Sequence, residues 1–413
     1  MTQNAHDTAL TAPSTDRPRA TEKEPSKAPD TPRVPVGRLI GVDLARGLAV
    51  FGMYAAHVGP DPSQGGVTGH VMELAHGRAS ALFAFLAGFS IMLITGRRSP
   101  KTGRAGRQAV AKVVIRALVL LALGTALTMS GTPVEVILAF YGLYFLLVLP
   151  LYRLAAGPLA VIAAASSLLL PQVLYVVQHA LPEGGADGIW ARPASADGIV
   201  SLLFTGSYPA LTWIPFVIAG MAVARLDLAA AVVRTRLAIT GVSLAVLGYG
   251  GSWLALHLVP GALSKLSAGG WGEGGSVASA WWSDTWGYPD GSTPVGLLVA
   301  SPHSETTLSV LANAGVAIAV LAACLAAVDA FPRFHRCARP VIAVGSMSLT
   351  AYVFHIVGIR FLGIEELPGS PLHVLVGFIA AVTVFATLWS RFFRRGPLEW
   401  LLGKAAKPAQ LVR

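Results

Sequence analysis

From Leu39 onward, long apolar stretches alternate with short polar connections. Ten such stretches can be marked, at 39–58, 79–96, 110–129, 133–151, 158–179, 208–225, 236–258, 306–328, 340–361 and 373–393. Each is close to the ~20 residues that a helix needs to cross about 30 Å of hydrocarbon. Hydrocarbon offers no partner to a backbone N–H or C=O, so a segment of this kind must satisfy itself as helix. The pattern predicts an all-α, polytopic integral membrane protein of about ten transmembrane helices. Two stretches are irregular: Pro171 interrupts the fifth, and GIVSLLFTG at 198–206 is a candidate half-helix ahead of the sixth. Residues 1–35 are rich in Pro, Thr, Ala and mixed charge and contain no apolar run to bury, which predicts a disordered tail. No short apolar core with a cleavage site is found there, so the tail does not read as a signal peptide. The helical domain is then 36–404, followed by a short tail at 405–413.

Composition agrees with this reading. The 413 residues are 54% hydrophobic and only 13% charged, about half the charge of an ordinary soluble domain. A conventional soluble enzyme is excluded, and a nucleic-acid-coating protein more firmly. The net charge of +10 is explained by where the basic residues fall. With the amino terminus cytoplasmic, the connections on that side hold Arg97, Arg98, Lys101, Arg104, Arg107 and Lys112, then Arg153, then Arg225, Arg234 and Arg236. Arg333, Arg336 and Arg339 follow, and then Arg391, Arg394 and Arg395. The alternate connections are mostly acidic. This alternation satisfies the positive-inside rule, predicts that both termini are cytoplasmic, and removes the need for a nucleic-acid partner. Two cysteines, Cys324 and Cys337, make neither a disulfide framework nor a zinc spacing.

Ionisable residues inside spans are expensive and are functional candidates for that reason. In the first span, Asp43 and Arg46 lie three residues apart on one helical face. The pair either fixes helix packing or places Arg46 to meet an anionic ligand from the cytosol. His57 follows Arg46 by eleven residues, which puts it on nearly the same face, about 16 Å further along. Eight of the ten histidines fall on the outer side of this topology: His57, His70, His76, His179, His257, His303, His355 and His373. His179, His257 and His373 read as ordinary hydrogen-bonding residues. His57, His76, His303 and His355 remain as catalytic candidates, because neutral imidazole can take a proton from a hydroxyl or amine, or carry an acyl group. Nothing has the H-x-x-x-H spacing of a helical metal site, so no metal is expected. The long connections 180–207 and 259–305 are also of interest. The second carries Trp271, Trp281, Trp282, Trp286 and Tyr288, either an interfacial aromatic belt or a platform for a sugar or lipid headgroup.

The opening RLIGVDLARGLAVFGMYAAHVG resembles the first-helix signature, R-x-x-x-x-D-x-x-R-G, of the transmembrane acyltransferases related to heparan-alpha-glucosaminide N-acetyltransferase. FYGLYFLLVLPLYRL, GSMSLTAYVFHIVG and FFRRGPLEWLLGK resemble the bacterial YeiB branch, so the likeness runs from about Arg38 to Lys404. The resemblance implies a multi-pass enzyme of the bacterial cytoplasmic membrane, moving an acetyl or other short acyl group from cytosolic acyl-CoA to an acceptor on the far side. Asp43, Arg46 and Gly47 carry over as the motif's own positions. A catalytic histidine just beyond the first helix is implied too, where His70 and His76 stand.

The combined expectation is an acyl-CoA-dependent membrane acyltransferase. Arg46, oriented by Asp43, and Arg116 would meet the phosphates of the acyl-CoA. His57, His76 and His355 would converge on one cavity, with His76 or His57 as base or nucleophile and His355 orienting it, and His303 standing as a fourth candidate. The acceptor, whether glycan, lipid headgroup or small molecule, is left open, as is a homodimer. The rival reading is a transporter or lipid-handling permease, for which buried charge would mark a substrate path.

Overall fold

The computed structural model describes residues 39–180, 198–271, 276–285, 288–289 and 293–413. In chain order its helices are α1 (Ile40–Val58), α2 (Gly66–Glu73), α3 (Arg78–Thr95), α4 (Gly103–Met129), α5 (Ile137–Val148), α6 (Ala156–Ala180) and α7 (Ala210–Ala224). They continue with α8 (Ala231–Leu258), α9 (Ala262–Gly269), α10 (Thr307–Ala330), α11 (Pro332–Ser346), α12 (Ser348–Leu362), α13 (Leu372–Phe392) and α14 (Pro397–Ala405). Among the described residues the only strands are the two-residue pair Gly270–Trp271 and Tyr288–Pro289.

Each of the ten apolar stretches is largely helical, with 133–136 and 208–209 leading into α5 and α7. Among the described residues, six helices are long and apolar enough to cross a membrane, or seven if the bent pair α11–α12 is one span. The prediction of a continuous ninth span at 340–361 is corrected: the chain turns by 75° between α11 and α12, at Met347. The carboxylate of Glu399, in the first turn of α14, starts α12 afresh by accepting the N–H groups of Leu349 (2.8 Å) and Thr350 (3.1 Å). Pro171 does not interrupt α6, which runs through it, and the candidate half-helix at 198–206 shrinks to one wide turn, Ser201–Thr205. The tail beyond α14 lies on α4, where Gln108 donates to the carbonyls of Gln410 and Val412.

α1 is buried along most of its length and packs against α3, α10 and α11. Small residues permit these close approaches, as expected where packing rather than hydrophobic expulsion joins helices. A Cβ on Gly88 would strike the carbonyl of Val217, and one on Gly220 that of Phe85, so α3 and α7 are joined backbone to backbone. Gly345 of α11 is seated in the same way on the Asp43 carbonyl of α1. By contrast α6, α8 and α13 turn large apolar side chains outward, among them Leu169, Val176, Ile239, Val246, Val384 and Leu388. Such faces suit lipid and not water.

The connections predicted to share a side do meet. Arg97 donates to the carbonyls of Ala224 (3.0 Å) and Leu226 (3.1 Å), Arg225 to those of Leu154, Tyr152 and Arg97, and Arg98 pairs with Asp227. At the other end, Arg360 donates to Ser130 and Gly369 to Gly59.

Candidate active site

α1 carries the first two functional groups. Near its start, Arg46 donates from Nη1 to Asp43 Oδ1 at 3.2 Å and from Nη2 to Ser90 Oγ of α3 at 2.7 Å. Asp43 and Ser90 hold the guanidinium, which ties α1 to α3, and Arg46 also lines a cavity of about 320 Å³. Arg116 from α4 and Glu399 from α14 line the same cavity, among Leu86, Leu93, Phe145 and other apolar side chains. The buried Nε of Arg116 has no hydrogen-bond acceptor.

Toward the end of α1, His57 lines a second and larger cavity, of about 570 Å³. His76, His303, Ser80, Asp284 and Glu305 also line it. His57 Nδ1 is 3.0 Å from Nε2 of His355, which is fully buried on α12, and the two rings stack with centroids 5.2 Å apart. His355 is packed by Tyr54 (4.7 Å) and Tyr352 (5.1 Å). Tyr54 is held in turn by donating to the Ala351 carbonyl at 2.7 Å. One hydrogen bond between two imidazoles requires one to donate and the other to accept, so the pair shares a defined tautomer.

A chain of ring contacts runs from one cavity to the other, through Phe83, Tyr352, His355 and His57. Phe83 and Tyr141 line the arginine cavity, and Phe83 also stacks on Tyr352, which meets His355.

Of the sequence candidates, His57, His76 and His303 share the larger cavity, with His355 behind His57, while Arg46 and Arg116 share the smaller. His70 is exposed and bonds back to the Gly66 carbonyl; His257 is exposed and stacked on Trp253; His373 is exposed. The side chains of His179, Trp271, Trp286 and Tyr288 lie outside the described residues. Trp281 and Trp282 pack on one another and beside Tyr249, close to the buried Arg78. Cys324 is buried and Cys337 exposed, both free.

Glu305 has no counterpart among the sequence candidates. It sits two residues after His303 in the connection before α10, and both residues adopt left-handed backbone, with φ of 57° and 55°. Non-glycine residues are strained there, and such strain persists where surrounding contacts enforce it. Here α7 supplies them: Thr212 Oγ1 donates to Oε2 of Glu305, Trp213 Nε1 donates to Oε1 at 2.9 Å, and the Trp213 ring stacks on His303. Burial pushes the Glu305 carboxyl up to about 7, against the pull of the two donors. Burial also holds His303 below its ordinary value, favouring neutral imidazole. The sequence signal was available in SPHSETT, where an acid stands beside the histidine, but its contacts with α7 could not be read from it.

A bundle of apolar helices, enclosing one cavity lined by arginines and another lined by histidines, defines a multi-pass membrane protein. Residues 38–251, just over half of the chain, match the catalytic family of heparan-alpha-glucosaminide N-acetyltransferase, and the chain belongs to that family of transmembrane acetyltransferases. Residues 297–407 match a second family, DUF418, described as a protein of unknown function. His57 and His76 fall in the first region, and His303, Glu305 and His355 in the second, so the larger site is assembled from both. No curated protein matches the chain.

Proposed function

We propose that the protein transfers a short acyl group from cytosolic acyl-CoA, bound at the arginine cavity, to an acceptor hydroxyl or amine in the histidine cavity. The observation that carries this reading is His57, held by His355, on the wall of one cavity, joined by a chain of ring contacts to a second cavity lined by Arg46 and Arg116. The smaller cavity fits such a donor: its arginines suit phosphate, its apolar wall suits the pantetheine arm, and the buried Arg116 Nε needs an acceptor. Ten spans with both termini cytoplasmic belong to the same proposal, supported by the basic connections that meet at one end of the bundle.

In the proposed reaction His355 holds His57 by Nδ1, leaving Nε2 of His57 to take the proton from the acceptor as it attacks the thioester carbonyl. The acceptor oxygen or nitrogen bonds to the acyl carbon, the C–S bond breaks, and the proton passes to the departing thiolate. His57 is preferred over His76 as the base because it alone of the cavity histidines has a second histidine at hydrogen-bond distance. Membership of an acetyltransferase family favours transfer over a permease.

Binding of labelled acetyl-CoA to the purified protein tests the inner half of the proposal. Arg46→Ala and Arg116→Ala should each weaken it, while His57→Ala should leave it largely intact and lower transfer about 10²–10⁴-fold. Transfer is read by mass spectrometry of envelope glycans and lipids from cells with and without the protein. Unchanged affinity in a folded Arg46→Ala, Arg116→Ala double variant would remove the donor from this cavity.

A further inference from the structure

We propose that Glu73, His76 and Asp284 hold a divalent transition-metal ion of the zinc class. Glu73 ends α2, His76 lies in the turn between α2 and α3, and Asp284 comes from the connection after α9. Each offers one ligand atom, and the three atoms lie within 4.8 Å of one another. Within this group His76 Nδ1 is 3.7 Å from Asp284 Oδ1.

The second observation is Glu73 itself. Its side chain is only 2% exposed, and neither carboxylate oxygen accepts a hydrogen bond of good geometry, the Ser283 hydroxyl being the side-chain donor nearby. A buried carboxylate in that state, beside a second carboxylate, is strongly unfavourable unless a proton or a cation meets it, and a cation can meet both at once. The nearest fixed cation, Arg78, is engaged elsewhere: it donates to the carbonyls of Glu73 (2.8 Å), His76 (3.2 Å) and Trp282 (2.5 Å) and lies over the Tyr249 and Trp282 rings. Arg78 thereby ties together the backbone of both ligand-bearing segments and leaves the carboxylates facing each other. One imidazole nitrogen and two carboxylate oxygens are ligands of the kinds zinc takes, and three protein ligands leave a further position open, as in a catalytic rather than a structural site. His76 and Asp284 line the histidine cavity, so that position would face the acceptor.

Its role there rests on the acyl-transfer reading: the ion would bind the acceptor oxygen or nitrogen and lower its pKa, so that its proton passes to His57 as the acceptor attacks the thioester carbonyl and the thiolate departs. The ion itself undergoes no change of oxidation state.

Metal analysis of the full chain, purified in detergent without chelator, tests the site independently of transfer. We expect about one zinc-class ion per chain, counted by mass spectrometry across zinc, manganese, iron, cobalt and nickel, with loss on dialysis against a chelator. Zinc added to the stripped protein should raise its thermal midpoint. Glu73→Gln and Asp284→Asn should each abolish both effects, and His57→Ala should keep both while losing transfer. Stoichiometric metal in a protein without transfer would support the site and count against the acyl-transfer reading alone. Absence of metal in the wild-type protein, with no midpoint shift on adding zinc, manganese or cobalt, would overturn the proposal even if the Glu73 variant fails to fold.

Discussion

Glu305 links a single side chain to a measurable pH dependence. Its carboxyl, held by Thr212 and Trp213 beside His303, is raised from an ordinary value of 4.5 to about 7. Between those values the folded state binds more protons than the unfolded one, so stability must fall as pH rises through the window. The full effect is at most about 3 kcal/mol, at 1.36 kcal/mol for each unit. The thermal midpoint of the purified protein should therefore drop between about pH 5 and pH 8, and Glu305→Gln should flatten that slope. A slope unchanged in the variant would place the titrating group elsewhere. The histidine pair gives a second test. If His355 acts only by holding His57, His355→Ala should lower transfer less than His57→Ala, and the double variant should be no worse than His57→Ala, since residues acting as a unit are not additive.

The break between α11 and α12 is where the element pattern and the observed helices part. An apolar run from 340 to 361 reads as one span because hydropathy records burial and not direction. The turn is made by Glu399, distant in sequence, which supplies the α12 N-terminus with two backbone bonds and takes the Thr350 hydroxyl at 2.6 Å. A carboxylate in that place is favoured by the exposed N–H groups of the first helical turn. Glu399→Ala should cost about 1–2 kcal/mol in stability, read as a lower thermal midpoint, with Glu399→Gln retaining part. Because Glu399 also lines the arginine cavity, the same substitution should alter acetyl-CoA affinity. Unaltered stability in Glu399→Ala would leave the bend to be explained by the Gly345 contact with α1.

For the molecule as a whole, sidedness can be read by cysteine labelling. Ser99 and Ser276 are both exposed, whereas Ser283, in the same connection as Ser276, is only 2% exposed and a poor reporter. In a Cys337→Ser background, cysteines at Ser99 and Ser276 should label from opposite faces of the membrane, and native Cys337 should label from the same face as Ser99. Labelling of both introduced sites from one face would overturn the ten-span topology and, with it, the assignment of donor and acceptor sides.

Much of this arrangement is local and so is present in the chain itself. Helices follow from apolar length, and the helical repeat alone places Asp43, Arg46 and His57 along one face of α1. Arg46 and Arg116 could both be picked out because charge within a span is conspicuous against its surroundings. What meets what across the bundle depends on contacts that no window of sequence contains. His57 bonds a histidine 298 residues away, Arg78 reaches a carbonyl 204 residues away, and Glu305 depends on donors from a helix 92 or more residues earlier. Small residues such as Gly88, Gly220 and Gly345 let the backbones approach until these pairs form. Glu73 and His76 stand three residues apart along the chain, but Asp284 joins them only in space, where α2 and the loop after α9 come together.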